Sequence, residues 1–348
     1  MERRRDIDIL KGICMISLVF CHTGISFLWF HYIFVVGFYF VAGYTFKDKP
    51  FYTFLKSKIV GLYIPFVINC IIGLCIIWAL SKVTGNYYYF TPYLFSKYIF
   101  MFNLPHNIFA PAWFLFPLFL ILFIYFILNR IVKNSYIILT ISFILYIVSY
   151  SYWKNLSKYV WNDCAWVINV LIGLFAFAYG YTIKSKKKIE YFIFNSKYSM
   201  DLFYISVLVC YIIYTYFPFD IDLRSGKCSN IILNTIMILF GMIYLFILSK
   251  LIDKTKLIGN VISVFGKHTR AIMFFHILSY SIVTLGVHYI LKYPWPDTWT
   301  NSYNYSGFWI LNGISGLCIP TICSILTERL KMKLIKKRHK HFISAFLM

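Results

Sequence analysis

The chain carries little charge, and acidic residues are especially scarce. Of its 348 residues only 13% are charged, with 12 Asp and Glu against 34 Lys and Arg. Soluble domains average about 25% charged residues, so this composition excludes an ordinary soluble globular protein. There is also no Walker A loop, no GxGxxG and no GxSxG, which leaves nucleotide hydrolysis and a serine nucleophile elbow unsupported. The nine cysteines show neither a CxxC pair nor metal-ligand spacing, so no metal site is predicted.

Long apolar runs are what the sequence has in abundance. Hydrophobic residues make up 60% of the chain, and the mean hydropathy is +0.72. Runs of about 20 apolar residues, the length that crosses a bilayer as a helix, recur from end to end. We therefore expect an all-α polytopic membrane protein, a single integral-membrane domain over residues 1–348 without a separate soluble domain. About ten transmembrane helices are predicted, near residues 7–29, 31–46, 60–81, 111–131, 135–153, 163–183, 199–218, 229–249, 271–291 and 306–326.

The distribution of basic residues predicts the orientation. If the N-terminus is cytoplasmic, most of the 34 Lys and Arg residues fall in the inner segments, as the positive-inside rule requires. With ten spans, both termini are then cytoplasmic in a multi-pass protein of the cell (inner or plasma) membrane. The formal charge of +22 follows from this topology and from contact with membrane lipids, so no nucleic-acid partner is expected.

The first apolar helix contains three ionisable residues, Asp8, Lys11 and His22. Lys11 and His22 lie about 20° from the same helix face and about 16 Å apart along the axis, and Asp8 is about 40° to the other side of His22. Ionisable side chains at membrane depth usually face the bundle interior or a watery cavity and mark functional sites. The alternatives are a structural His22 bonded to a neighbouring helix and an interfacial Asp8–Lys11 pair.

Five short blocks in order carry a resemblance to a known family. They are DILKG at residues 8–12 with His22, GFYFVAGY at 37–44, FLKSK at 54–58 leading to Pro65, AWFL at 112–115, and GKHTR at 266–270 followed by FFH at 274–276. With these blocks the chain resembles the membrane-bound acyltransferase 3 family, ten-helix enzymes that O-acylate bacterial surface sugars. Lys11 stands where Arg is usual, which keeps the charge but loses bidentate pairing. Gly61 stands where a second basic residue is common.

The resemblance implies a substrate pair and a set of site residues. The donor is expected to be acyl-CoA, usually acetyl-CoA, which enters from the cytosol, and the acceptor a hydroxyl of a cell-surface or lipid-linked glycan. No permanently bound cofactor is expected. His22 is the expected general base or acyl carrier. The cations expected to hold the donor's phosphates are Lys11, Lys56, Lys58 and Arg5, and the further site candidates are Asp8, Trp113 and His276.

A second class of function also fits the composition. A transporter or exporter of a glycan or a lipid-linked sugar would place His, Lys and Asp along a permeation path in the same way. Transporters often show an internal inverted repeat. The histidine block of the first helix has no counterpart in the sixth, which favours the enzyme over the transporter.

Overall fold

The chain forms a helical bundle. The computed structural model describes residues 4–23, 33–84, 114–156, 165–217, 221–222, 227–228, 230–292 and 307–346. In these ranges the extended structure is one short antiparallel pairing, β1 (Ile221–Asp222) with β2 (Lys227–Cys228). The predicted all-α polytopic fold is confirmed.

Thirteen helices follow one another along the described parts of the chain. They are α1 (Arg5–Cys21), α2 (Phe34–Tyr44), α3 (Phe51–Lys58), α4 (Ile64–Thr84), α5 (Leu115–Val132), α6 (Ser135–Leu156), α7 (Ala165–Ser185), α8 (Lys187–Asn195), α9 (Ser199–Tyr216), α10 (Ile231–Asp253), α11 (Lys256–Lys267), α12 (Thr269–Leu291) and α13 (Trp309–Phe346). A π-helical turn, Ile59–Tyr63, joins α3 to α4. The continuous helical stretch therefore starts at Phe51, before the predicted start at residue 60.

Each predicted span overlaps one of these helices. Seven helices of the described chain are long and apolar enough to cross a membrane. Two apolar stretches are shorter, Phe34–Tyr44, which is α2, and Ser135–Ser151 within α6, and α1 has 17 residues. The count of ten spans and the cytoplasmic position of the termini stay predictions. Residues 111–113, which include Trp113, lie outside the described residues.

Helix α1 lies at the centre of one half of the bundle, where it contacts α2 and α10 to α13. Helix α7 organises the other half and packs on α2, α5 and α6. Glycines permit the closest approaches: Gly37 of α2 faces Cys14 of α1, whereas a side chain at Gly43 would overlap the backbone of Phe177 in α7. Helix α2 therefore joins the two halves.

Exposure separates buried helices from lipid-facing ones. In the apolar stretch of α7, within Val167–Ser185, 72% of the residues are buried. In Ser199–Tyr216 of α9 only 17% are buried, and large side chains such as Tyr204 and Leu208 are exposed. A helix satisfies its own backbone polar groups, so such a surface is stable in lipid without further partners. The polar chemistry must then be sought where helices converge.

Candidate active site

Two glycines of the recognised sequence blocks lie where α1 crosses α11. A Cβ at Gly12 would overlap the carbonyl of Ile262, and a Cβ at Gly266 would overlap the carbonyl of Asp8. Larger residues would force the two helices apart, because a packed interior does not absorb an added side chain. This crossing fixes the corner from which α12 begins, and thus the position of His276 relative to α1.

Asp8 and Lys11 form an ion pair on α1. Lys11 Nζ donates to Asp8 Oδ1 at 2.9 Å, and the Asp8 side chain is only 2% exposed. A buried carboxylate needs such a cation to offset its lost hydration. Part of the Lys11 charge is therefore already balanced inside the protein, and its role as a phosphate ligand stays a prediction.

Arg5 is engaged by the end of α10. Its Nη2 donates to the carbonyl of Thr255 at 2.9 Å, and its Nε lies 3.4 Å from Asp253 Oδ1. Carbonyls just beyond a helix C-terminus favour a cation. Arg5 thus holds α1 to the turn between α10 and α11.

A polar cluster at the same end of the bundle was not singled out from the sequence. Arg4 binds both carboxylate oxygens of Asp6 at 2.5 and 3.1 Å and donates to Tyr44 Oη at 2.7 Å. Tyr44 in turn donates to Glu190, whose Oε1 is 3.6 Å from Lys184 Nζ. The bond to Asp6 raises the pKa of the Arg4 guanidinium above its ordinary value. The cluster ties α1, α2, α7 and α8 together, and the Arg-x-Asp spacing was its sequence signal.

A cavity of about 370 Å³ opens beside the π-helical turn. Three lysines contribute to its wall, Lys47 and Lys49 from the loop after α2 and Lys58 from α3. The other lining residues are small, polar or apolar: Ala42, Thr45, Phe46, Phe54, Ser57, Gly61, Leu62, Leu118 and Leu122. Lys56 is exposed and is not among these lining residues. The cavity therefore combines a cationic rim with an apolar wall, which suits an anionic amphiphile.

The loop that carries two of these lysines is held by α5. Arg130 Nη2 donates to the carbonyl of Lys49 at 2.6 Å and to Asp48 Oδ1 at 3.2 Å. Arg130 therefore also offsets part of the negative charge that Asp48 places between the two lysines. The sequence signal for Lys47 and Lys49 was the KDK triplet, which reasoning from the first helix passed over.

His22 and His276 meet at the far end of α1. Their ring centroids are 5.3 Å apart. His22 directly follows the last residue of α1, and its side chain is partly exposed, whereas His276 is fully buried in α12. The structure thus brings together two of the residues proposed from the sequence.

The hydrogen bond of His276 to a backbone carbonyl defines the tautomer of its neutral ring. Its Nδ1 lies 2.7 Å from the carbonyl of Ile272. A carbonyl can only accept, so Nδ1 carries the hydrogen, and Nε2 of the neutral ring is an acceptor. Among the described residues this buried Nε2 has no hydrogen-bond partner. In this tautomer Nε2 can accept a hydrogen bond from a neighbouring donor.

Two further contacts fix the histidine pair. Tyr280 Oη donates to the carbonyl of Val19 at 2.6 Å, three residues before His22. A Cβ at Gly316 of α13 would overlap the Tyr280 ring and press on Val19 and His276. Helices α1, α12 and α13 therefore converge at this point, and neither Tyr280 nor Gly316 was recognised from the sequence.

Comparison with known proteins places the chain in a family. The family model described as an acyltransferase domain, Acyl_transf_3, matches residues 4–329. The chain belongs to the membrane-bound acyltransferase 3 family. No curated protein and no solved structure matches it. The resemblance read from the sequence blocks is confirmed, and the acyltransferase is favoured over the transporter.

Proposed function

We propose that this membrane acyltransferase moves an acyl group, most simply acetyl, from cytosolic acyl-CoA to a hydroxyl of a cell-surface or lipid-linked glycan in the cell membrane. The observation that carries the proposal is the contact of His22 with His276, 5.3 Å between ring centroids, in a chain of this family. Acyl transfer to a hydroxyl needs a group that removes a proton, and imidazole does so near neutral pH.

His22 has two routes to the same products. As a general base, it takes the hydroxyl proton while the oxygen attacks the thioester carbon, and the proton then passes to the departing CoA thiolate. As an acyl carrier, its ring nitrogen attacks the thioester carbon, and the proton lost by the imidazole goes to the departing CoA thiolate. The acceptor oxygen then attacks the acyl-imidazole, and the hydroxyl proton returns to the ring. In either route one nitrogen of His22 must face the substrates.

His276 supports this chemistry as a positioning residue. Its Nε2 is an acceptor, so it is suited to hold an N–H of His22 and to direct the other nitrogen towards the substrates. Such an arrangement requires no carboxylate beside the pair.

The donor's phosphates fit the cavity lined by Lys47, Lys49 and Lys58. Ammonium groups bind phosphate, and the apolar wall from Phe54 and Leu122 suits the less polar part of the same molecule. Lys11 and Arg5 then serve mainly to hold α1, because both are engaged by carboxylates or carbonyls. Lys56 lies on α3, the helix that carries Lys58, and its side chain is exposed.

The test is transfer of radiolabel from acetyl-CoA to glycan in membranes that contain equal amounts of wild type, His22→Ala or His288→Ala. His288 lies on α12 and is the matched control, because it is a partly exposed histidine three turns beyond His276. We expect His22→Ala to lower transfer by about a thousandfold, within the range for loss of a general base. His288→Ala should retain transfer.

The two routes are separated by omitting the acceptor. Label that stays on wild-type protein and is absent from His22→Ala indicates the acyl carrier, whereas unlabelled protein with active transfer indicates the general base. Purified wild type that neither binds any acyl-CoA nor transfers label would overturn the proposal.

A further inference from the structure

The helix that runs from Phe51 to Thr84 has an irregular turn beside the cavity. The turn spans Ile59–Tyr63 and is π-helical, a feature that is frequent at functional sites. Pro65 follows it, and proline has no N–H to donate to the carbonyl four residues earlier, which is that of Gly61. The regular α-helical partner of the Gly61 carbonyl is therefore missing.

Arg270 reaches this carbonyl from another helix. Its Nη1 donates to the Gly61 oxygen at 3.3 Å, although 209 residues separate the two in sequence. Arg270 lies in the first turn of α12 and is exposed. A guanidinium has five N–H donors, so this one bond leaves others for a ligand.

Gly61 belongs to the cavity wall; Arg270 is not itself a lining residue, but its guanidinium lies 3.3 Å from the oxygen of one. The wall holds Lys47, Lys49 and Lys58, and no acidic residue occurs among the described residues that line it. Like charges gathered in this way repel one another until an anion binds. Because its planar fork matches phosphate oxygens in pairs, an arginine adds to such a site what lysines cannot.

We propose that Arg270 is a binding residue of this cavity and that it holds a phosphate group of the bound ligand together with Lys58. The inference rests on the proposed function in that it assigns the phosphate to the acyl-CoA donor. It also connects two sites, because Arg270 and His276 lie on the same helix, about 9 Å apart along its axis.

The experiment measures binding of coenzyme A and of inorganic pyrophosphate to the purified protein in neutral-lipid nanodiscs. Arg270→Ala should weaken both by about tenfold or more, as expected for a charge-assisted hydrogen bond. Added salt should weaken binding less steeply in this variant than in wild type. Lys267→Ala is the matched control, since Lys267 is an exposed cation three residues before Arg270 that, within the described residues, makes no hydrogen bond to a cavity-lining residue.

A second variant separates ligand binding from a structural role. A Cβ at Gly61 would meet open space, so Gly61→Lys can place a cation at the same wall. We expect the double variant Arg270→Ala with Gly61→Lys to regain most of the coenzyme A and pyrophosphate binding that Arg270→Ala alone loses. If Arg270→Ala binds both probes as wild type does, or if its binding is lost and Gly61→Lys does not restore it, the inference is wrong.

Two outcomes distinguish this inference from the proposed function. Pyrophosphate binding that depends on Arg270, in a protein without acyl transfer, would keep the anion site and remove the donor assignment. Active acyl transfer with pyrophosphate binding unchanged by Arg270→Ala would remove the inference alone. Repeating the measurement in nanodiscs with phosphatidylglycerol tests whether the phosphate belongs to a lipid headgroup. If pyrophosphate binds more weakly there than in neutral-lipid nanodiscs, and its binding still depends on Arg270, the anion site is kept and is assigned to a lipid headgroup.

Discussion

The lysine-lined cavity and the histidine pair are built in different ways. The cavity draws Lys47 and Lys49 from a loop and Lys58 from a short helix, and Arg130 holds the loop from α5. The histidine pair lies where three long helices converge, and His276 is fully buried. Several flexible cations act together through a summed field, whereas acid–base chemistry depends on single nitrogen atoms. Loss of one residue should therefore be graded at the cavity and severe at the histidine pair.

Substitution of His276 is the stronger test of this contrast. We expect His276→Phe to lower kcat by about a hundredfold with little change in KM for acyl-CoA, because a misdirected His22 loses reactive geometry but not donor binding. His276→Gln keeps an acceptor at the same place and should retain most of the activity. Steady-state kinetics on purified protein with matched thermal stability measures both. Equal losses in the two variants would show that an acceptor at this place does not support activity.

Lys58 and Lys56 offer a matched pair at the cavity. Both are lysines of α3, but only Lys58 is among the cavity-lining residues. We expect Lys58→Ala to raise KM for acyl-CoA by about fivefold, which corresponds to about 1 kcal/mol for one partly exposed ion pair. Lys56→Ala should change KM less. A similar rise in KM for both variants would indicate that the donor's phosphates bind at the outer face of α3 and not in the cavity.

Much of this arrangement could be predicted from the sequence. Every span predicted from hydropathy overlaps a helix of the structure. Apolar runs predict helices here because backbone polar groups in lipid must be satisfied, and a helix satisfies them within itself. The spacing along α1 also placed the Asp8–Lys11 pair and His22 on one stripe. Spacing within one helix is fixed by helix geometry, so these inferences needed no tertiary information.

What the sequence could not provide was contact between distant segments. Three such contacts join helices that are far apart in the chain: His22 with His276, Arg270 with the Gly61 carbonyl, and Tyr280 with the Val19 carbonyl. Such pairs depend on which helices become neighbours, and apolar periodicity does not encode that choice. Arg5 shows the same limit, since its carbonyl partner at Thr255 lies 250 residues further along the chain; its role as a phosphate ligand stays a prediction.

The smallest expected effect concerns the contact that supports the histidine pair. Tyr280→Phe removes the hydrogen bond to the Val19 carbonyl, which costs about 1 kcal/mol of stability and leaves the last turn of α1 less firmly held. We expect a two- to threefold lower kcat, on the order of half a kcal/mol in the barrier. Tyr179→Phe is the control, because Tyr179 Oη donates to the carbonyl of Leu239 at 3.4 Å between two helices that do not carry the pair. Both variants should melt at lower temperature, but only Tyr280→Phe should slow transfer. If Tyr179→Phe lowers kcat equally, the effect reflects general loosening of the bundle, and the contrast between a graded cavity and a sharply defined histidine pair loses its support at this position.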